Sequence, residues 1–165
     1  FADGAFDAAL AVLTVHHWTD RARGLAELAR VSGRQVVLTF DPVVHADMWL
    51  VRDYLPEVTG LPGWDAPAPA AIAEALGGAT VEVVPVPADC IDGFLGAYWA
   101  RPEAYLDPSV RAATSGLALL PPEVVDEAVA RLAADLRSGR WHRRHGHLLE
   151  RATVDDGFRL VVAGS

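Results

Sequence analysis

The chain has 165 residues, of which 52% are hydrophobic and 22% are charged, and its formal net charge is −8. This length suits one domain that buries about 70% of its unfolded surface. The acidic balance argues against phosphate-led nucleic-acid binding, and no apolar run reaches the roughly 18 residues that a membrane-spanning helix needs.

A strand, a helix and a second strand are predicted at the start of the chain. The apolar run from Phe6 to Val12 is typical of a strand buried on both faces. Thr19 or Asp20 can cap the helix that follows, and Gly33 is expected to end it. The second strand is predicted over 35–40 from its β-branched and apolar residues. The apolar face of the helix is predicted from its spacing: Ala22, Leu25, Ala26 and Ala29.

Proline and glycine positions, together with apolar periodicity, predict the later elements. These are a helix over 69–76, a strand over 80–86, a helix over 92–99, a helix over 122–137 and a strand over 159–163. The helix over 122–137 has the clearest apolar stripe, made of Val125, Ala128, Val129, Leu132 and Leu136.

The alternation of strands and helices predicts an α/β fold with a parallel sheet. We expect a single domain over 1–165 in which residues 42–69 and 87–140 are insertions on the substrate side. The link between the last two strands is too long for a simple crossover, so its helices are interpreted as a cap over the sheet edge.

Four segments carry a family resemblance. FADGAFDAALAVLTVHHW, ARVSGRQVVLTFDP and DDGFRLVVAGS resemble the segments around the fourth, fifth and seventh strands of class I S-adenosylmethionine-dependent methyltransferases of the type 11-like group. DCIDGFLGAYWARPEAYLDPSVR is similar to a stretch of a bacterial subgroup. The resemblance implies a Rossmann-like sheet, of which this chain holds the C-terminal half (strands 4 to 7), with helical cap insertions and an antiparallel last strand between the fifth and sixth.

The family's cofactor loop does not occur in this sequence. No G-x-G-x-G follows a strand, and the chain begins at Phe1, in the middle of a family motif. Only glycine allows the backbone to approach the cofactor that closely. We therefore expect a truncated form that binds S-adenosyl-L-methionine weakly or not at all.

The loop after the first strand contains the first candidate site residues. Ligands of doubly wound folds bind at the carboxyl ends of the parallel strands. The resemblance implies that Thr14, Val15 and His16 lie near the cofactor. His17 is a candidate catalytic base or substrate contact, because histidine titrates near neutrality. The alternative is that the histidines stabilise the loop by hydrogen bonds while Trp18 packs on the helix.

Asp41 ends the second strand and is the other catalytic candidate, able to orient an amine or hydroxyl group. Its alternative role is that of a turn residue before Pro42. The further candidates for a substrate pocket are Trp18, Trp49, Tyr54, Asp89, Tyr98 and Trp99. Aromatic residues at such positions are alternatively core residues.

The histidines of the segment 142–147 do not match a zinc spacing, and neighbouring arginines oppose a dication, so no metal is predicted. The single cysteine, Cys90, is typical of a reducing compartment, and we expect a cytoplasmic protein.

The sequence leaves two functions open. The first is methyl transfer from S-adenosylmethionine to a small-molecule acceptor. The second is a non-catalytic interaction module that forms a homodimer through the open edge of residues 6–12. A hydrolase is disfavoured because the sequence has no G-x-S-x-G nucleophile elbow.

Overall fold

The computed structural model describes residues 1–164 and contains two compact units. The first unit comprises Phe1–His45, Gly63–Val84 and residues 157–164, and the second comprises Ala46–Pro62 and Pro85–Asp156. The strands are β1 (Phe6–Val12), β2 (Ser32–Phe40), β3 (Thr80–Val83), β4 (Val86–Pro87), β5 (Thr153–Val154) and β6 (Phe158–Gly164). The α-helices are α1 (Arg21–Val31), α2 (Pro42–Ala46), α3 (Trp49–Asp53), α4 (Pro69–Ala75), α5 (Pro108–Ala113), α6 (Ser115–Ala118), α7 (Pro122–Arg137) and α8 (Arg140–His145). Short 3₁₀ helices span Val15–His17, Pro56–Gly60, Pro102–Leu106 and Gly146–Glu150.

The first unit is built on a four-stranded sheet of order β1-β2-β6-β3. β1 and β2 are parallel, with Leu10 opposite Val36. β6 lies antiparallel between β2 and β3, with Val161 opposite both Val37 and Val81. The expectation of an α/β fold whose last strand is antiparallel and inserted between two earlier strands is confirmed.

Helices α1 and α4 pack on this sheet and enclose the core of the first unit. The core residues are Ala11, Val15, Leu25, Val37, Ile72, Ala73, Leu76, Val161 and Ala163. The prediction of the apolar face of α1 was wrong, because only Leu25 of its four predicted residues is buried. The buried side instead runs along Leu25 and the half-buried Leu28, because Trp18 packs beside α1 against this core.

Gly33 was predicted to end α1, but it belongs to β2. The helix ends at Val31 and the chain becomes extended at Ser32. The hydroxyl of Ser32 donates a hydrogen bond to the carbonyl of Leu28 at 2.7 Å. This bond satisfies a carbonyl that the helix end leaves open, so no glycine cap is needed.

The opposite face of the sheet is apolar and partly open to solvent. Leu10 is 67% exposed and Val12 is 51% exposed, and their partners in β2, Val36 and Leu38, are half-buried. Among the residues that the structure describes, β1 pairs with β2 alone. The edge expected over residues 6–12 is therefore present.

The second unit has an aromatic core beneath α7. Trp49, Trp99, Tyr105 and Trp141 are all at most 4% exposed. The helix predicted over 122–137 is confirmed to the residue. Its stripe packs as predicted, with Val125, Ala128 and Leu132 buried and the other two members half-buried.

Two predicted elements of the later chain differ from the structure. The strand over 80–86 ends at Val83, and Val86 pairs instead with Val154 in a separate two-stranded sheet. The segment 92–99 forms successive turns rather than a helix. It contains two glycines, each of which costs a helix about 1 kcal/mol relative to alanine. The carboxylate of Asp156 also lies against Gly96, where a side-chain Cβ would stand. Across 1–164, no helix is long and apolar enough to cross a membrane.

Candidate functional site

The chain turns sharply at the carboxyl end of β1. Leu13 has a φ of 45°, a conformation that is costly for a residue with a Cβ. Its N–H donates to the carbonyl of Leu38 at 2.8 Å, which ties the turn to β2. Val15 is 1% exposed and belongs to the core, so its burial anchors the short 3₁₀ helix. The turn thereby holds His16 and His17 at the end of the strand.

His16 is the half-buried member of this histidine pair. Its ring centroid lies 4.0 Å from that of His17 and 5.3 Å from that of Phe40. Burial lowers the pKa of His16, and the neighbouring His17 and Arg21 lower it further. Its Nδ1 atom is buried and has no hydrogen-bond partner among the described residues. The neutral imidazole can therefore offer Nδ1 to a bound ligand.

The segment 63–65 lies against the two histidines. Gly63 has a φ of 93°, and a Cβ there would lie 3.0 Å from Cδ2 of His16. Nη2 of Arg21 donates both to the carbonyl of His16 at 3.1 Å and to Oδ2 of Asp65 at 3.0 Å. One guanidinium thus joins the histidine loop to the segment that covers it.

Asp41 follows β2, the parallel neighbour of β1. Its Oδ1 accepts hydrogen bonds from the N–H groups of Val43 at 2.9 Å and Val44 at 3.4 Å, so it caps α2. The Asp41 N–H donates to the carbonyl of Gly157 at 2.8 Å. Asp41 is therefore a turn residue, the alternative role that the sequence allowed.

His45 lies one helical turn after Asp41, within a cluster of aromatic rings. Its ring stacks on Trp64 at 5.3 Å between centroids and meets Phe40 at 5.6 Å and Phe158 at 5.8 Å. The sequence did not single out this cluster. Its only signal was the position of His45 four residues after a strand-end aspartate. Trp64 and Phe158 come from distant segments that no sequence pattern joins.

Trp18, a predicted pocket residue of the first unit, packs on α1 beside Gly24. In the second unit, Trp49 and Trp99 are core residues. Trp49 Nε1 donates to the carbonyl of Trp99 at 3.0 Å, and Trp99 Nε1 donates to that of Val86 at 3.2 Å. Their packing accounts for both residues.

The other predicted pocket residues also belong to the second unit. Tyr98 is half-buried with the guanidinium of Arg101 4.9 Å above its ring, and Asp89 is exposed. Tyr54 lines a cavity within that unit. The structure therefore places Thr14 to His17 and Asp41 at the carboxyl ends of the neighbouring parallel strands β1 and β2.

The histidines of 142–147 do not form a cluster. Nε2 of His145 lies 3.0 Å from Oδ2 of Asp53, a carboxylate that also pairs with Arg52 and Arg144. Within residues 1–164, no group of three or more histidine, cysteine or acidic side chains is placed to hold a metal ion.

Two comparisons with known proteins point to the same family. The model of a methyltransferase domain matches residues 1–39, which hold β1, the histidine loop, α1 and most of β2. The structure matches a crystal structure from Anabaena variabilis ATCC 29413, described as a "putative methyltransferase from antibiotic biosynthesis pathway", with a TM-score of 0.89 and 28% identity. The match covers 100% of this chain and 69% of the Anabaena chain. Both findings support a class I S-adenosylmethionine-dependent methyltransferase. No curated protein matches the sequence.

The residues at the carboxyl end of β1 fit one side of a cofactor site. The turn at Leu13 and the unpartnered Nδ1 of His16 lie at the strand end where the fold binds ligands. The sequence has no G-x-G-x-G loop to approach the cofactor from another strand. The residues that follow β1 are therefore suited to contact the methyl acceptor and part of the cofactor.

Proposed function

We propose that this methyltransferase takes part in moving a methyl group from S-adenosylmethionine to a small-molecule acceptor. The observation that carries the proposal is the match along the whole chain to the Anabaena protein. That protein's assignment to an antibiotic pathway makes small molecules the acceptor class to test first. Polar side chains at the ends of two parallel strands support the same reading.

The bound cofactor supplies an electrophilic methyl carbon, so the protein has to orient the acceptor and exclude water. His17, which is exposed beside His16, is proposed as the substrate contact or base. The carboxylate of Asp41 is proposed as the second contact, suited to an acceptor N–H or O–H group. The segment 63–65 shields one side of the histidine pair.

Thr14, Val15 and His16 are proposed to lie beside the cofactor. The Val15 side chain is part of the core, so its contact would come from the backbone. His16 would offer the buried Nδ1. Because the glycine loop does not occur in the sequence, we expect these 165 residues alone to bind S-adenosylmethionine weakly or not at all.

Calorimetric titration of S-adenosylhomocysteine into this chain, and into the chain extended at its amino end, tests the proposal. We expect measurable binding to the extended form and much weaker binding to the 165 residues. Methyl transfer from labelled cofactor to a panel of small amines and phenols then follows. His17→Asn should reduce transfer, whereas His147→Asn, at an exposed histidine of the second unit, should not. Absence of binding to both forms would contradict the proposal.

A second candidate function is a module that associates with a second copy of itself. The observation that favours it is the open edge of β1 beside the exposed Leu10 and Val12. An unpaired strand with an apolar face is a template for another chain. Dimerisation and methyl transfer are compatible, so the oligomeric state is measured separately.

A further inference from the structure

A cavity of about 600 Å³ is lined by residues of the second unit alone. Residues of α7 and α8 form much of its wall, together with Asp53 and Tyr54 at the end of α3. Its volume is within the range of small-molecule binding sites. The charged groups on its wall are Asp53, Asp135, Arg131, Arg140 and Arg144.

The two carboxylates of the wall are already occupied by donors. The side chain of Asp53 is 5% exposed, and its oxygens lie 2.9 Å from Nε of Arg52 and 3.0 Å from Nη2 of Arg144. Oδ2 of Asp135 accepts the hydroxyl of Tyr54 at 3.0 Å. A buried carboxylate is stable only with such partners. These aspartates therefore hold the wall in place rather than bind a cation.

The three arginines retain unused donors. Arg140 is 71% exposed, and its nearest carboxylate oxygen, on Asp135, is 3.4 Å away. Arg144 uses Nη2 alone on Asp53. Arg131 donates Nη2 to the carbonyl of Tyr54, and its Nη1 lies 3.6 Å from Glu127. A guanidinium carries several N–H donors in a planar fork that matches a carboxylate or phosphate.

The balance of charge on the wall favours an anion. Three guanidinium groups face the cavity against two carboxylates. Outside the wall, Arg52 pairs with Asp53 and Glu127 lies near Arg131, so these two outer charges offset each other. Tyr54 adds an aromatic surface beside the polar groups. We propose that this cavity binds a small ligand through a phosphate or carboxylate group held by Arg131, Arg140 and Arg144.

The proposal does not rest on methyl transfer, since every residue that it uses belongs to the second unit. The test is calorimetric titration of the 165-residue chain with inorganic phosphate and, separately, with succinate, at constant ionic strength. Saturable binding of at least one anion is expected. Stronger binding of phosphate would identify a phosphorylated ligand, and stronger binding of succinate would identify a carboxylate ligand.

Arg140→Gln is the informative variant, because Arg140 is exposed and makes one long ion pair, so the fold should tolerate the change. We expect it to weaken binding by about tenfold. Arg137→Gln removes the same charge from an exposed position of α7 outside the cavity wall, and should leave binding unchanged. An equal loss in both variants would overturn the proposal, as would the absence of saturable binding of either anion.

Discussion

The indole ring of Trp18 occupies the space that a Cβ of Gly24 would need, with Cε3 2.3 Å from that point. The ring lies against the core formed by Leu25 and Val15. A glycine in the middle of a helix is otherwise unfavourable by about 1 kcal/mol relative to alanine. Gly24 is therefore explained by the close approach of a ring from the loop before the helix.

Gly24→Ala should lower the free energy of unfolding by about 1 to 3 kcal/mol, because Trp18 has to move out of a packed position. Urea unfolding followed by circular dichroism measures this. In a Trp18→Ala background the same change should become neutral, or stabilising by up to about 1 kcal/mol. A stabilising Gly24→Ala in the unmodified chain would show that the ring does not occupy this space.

Gly157→Ala should be severely destabilising, by about 2 to 4 kcal/mol. Gly157 has a φ of 89°, and its Cβ would stand 2.9 Å from the carbonyl oxygen of Asp41 and 3.0 Å from the nitrogen of His45. Gly77→Ala is the matched control, with a φ of 80° and no atom within 4 Å. It should cost about 1 kcal/mol of backbone strain. Equal losses at the two sites would argue against tight packing around Gly157.

His16 and His145 should make the protein less stable as the pH falls. Burial lowers the pKa of each below 6.5 in the folded state. Between these lowered values and about 6.5, the unfolded chain binds more protons, so the free energy of unfolding rises with pH in this window. The stabilisation that the two neutral histidines contribute is fully present above about pH 6.5, and it is lost as the pH falls through their pKa values in the folded state. Urea unfolding at a series of pH values from 7.5 downwards measures this. The variant His16→Gln should reduce the slope of the free energy of unfolding against pH.

Arg21→Gln should raise the pKa of His16, since the guanidinium opposes protonation of the ring and also holds the covering segment through Asp65. Nuclear magnetic resonance titration of the His16 ring measures the shift. Arg23→Gln removes a charge two residues further along α1, at an exposed position, and should leave the titration unchanged. The same shift in both variants would mean that net charge, not the contact, sets the pKa.

Leu10→Glu should reduce self-association if the edge at β1 joins two copies of the chain. Leu10 is 67% exposed on the open face of the sheet. Leu119→Glu changes a leucine that is 66% exposed in the second unit, and should leave the oligomeric state unaltered. Light scattering across micromolar concentrations distinguishes the two. A monomer in the unmodified chain would contradict association through this edge.

Local sequence signals were sufficient where one residue type has one physical reason to be present. The oxygen of Asp20 accepts the N–H of Arg23 at the start of α1, as a capping residue should. The apolar stripe through Val125, Ala128 and Leu132 correctly predicted the helix α7. Local signals failed over 92–99, where glycines and the approach of Asp156 prevent a helix. They also failed at Gly33, because the hydroxyl of Ser32 donates a hydrogen bond to a carbonyl at the end of α1 and no glycine cap is needed.

The sequence by itself determined the strand-helix order and the strand-end positions of His16, His17 and Asp41, because these depend on short-range pattern and on contiguous motifs. Only the tertiary structure decided that Trp64 stacks on His45 and that three arginines share a cavity wall with Asp53. Such contacts join segments far apart in the chain. Their existence depends on how the whole core packs, a property that no single window of sequence contains.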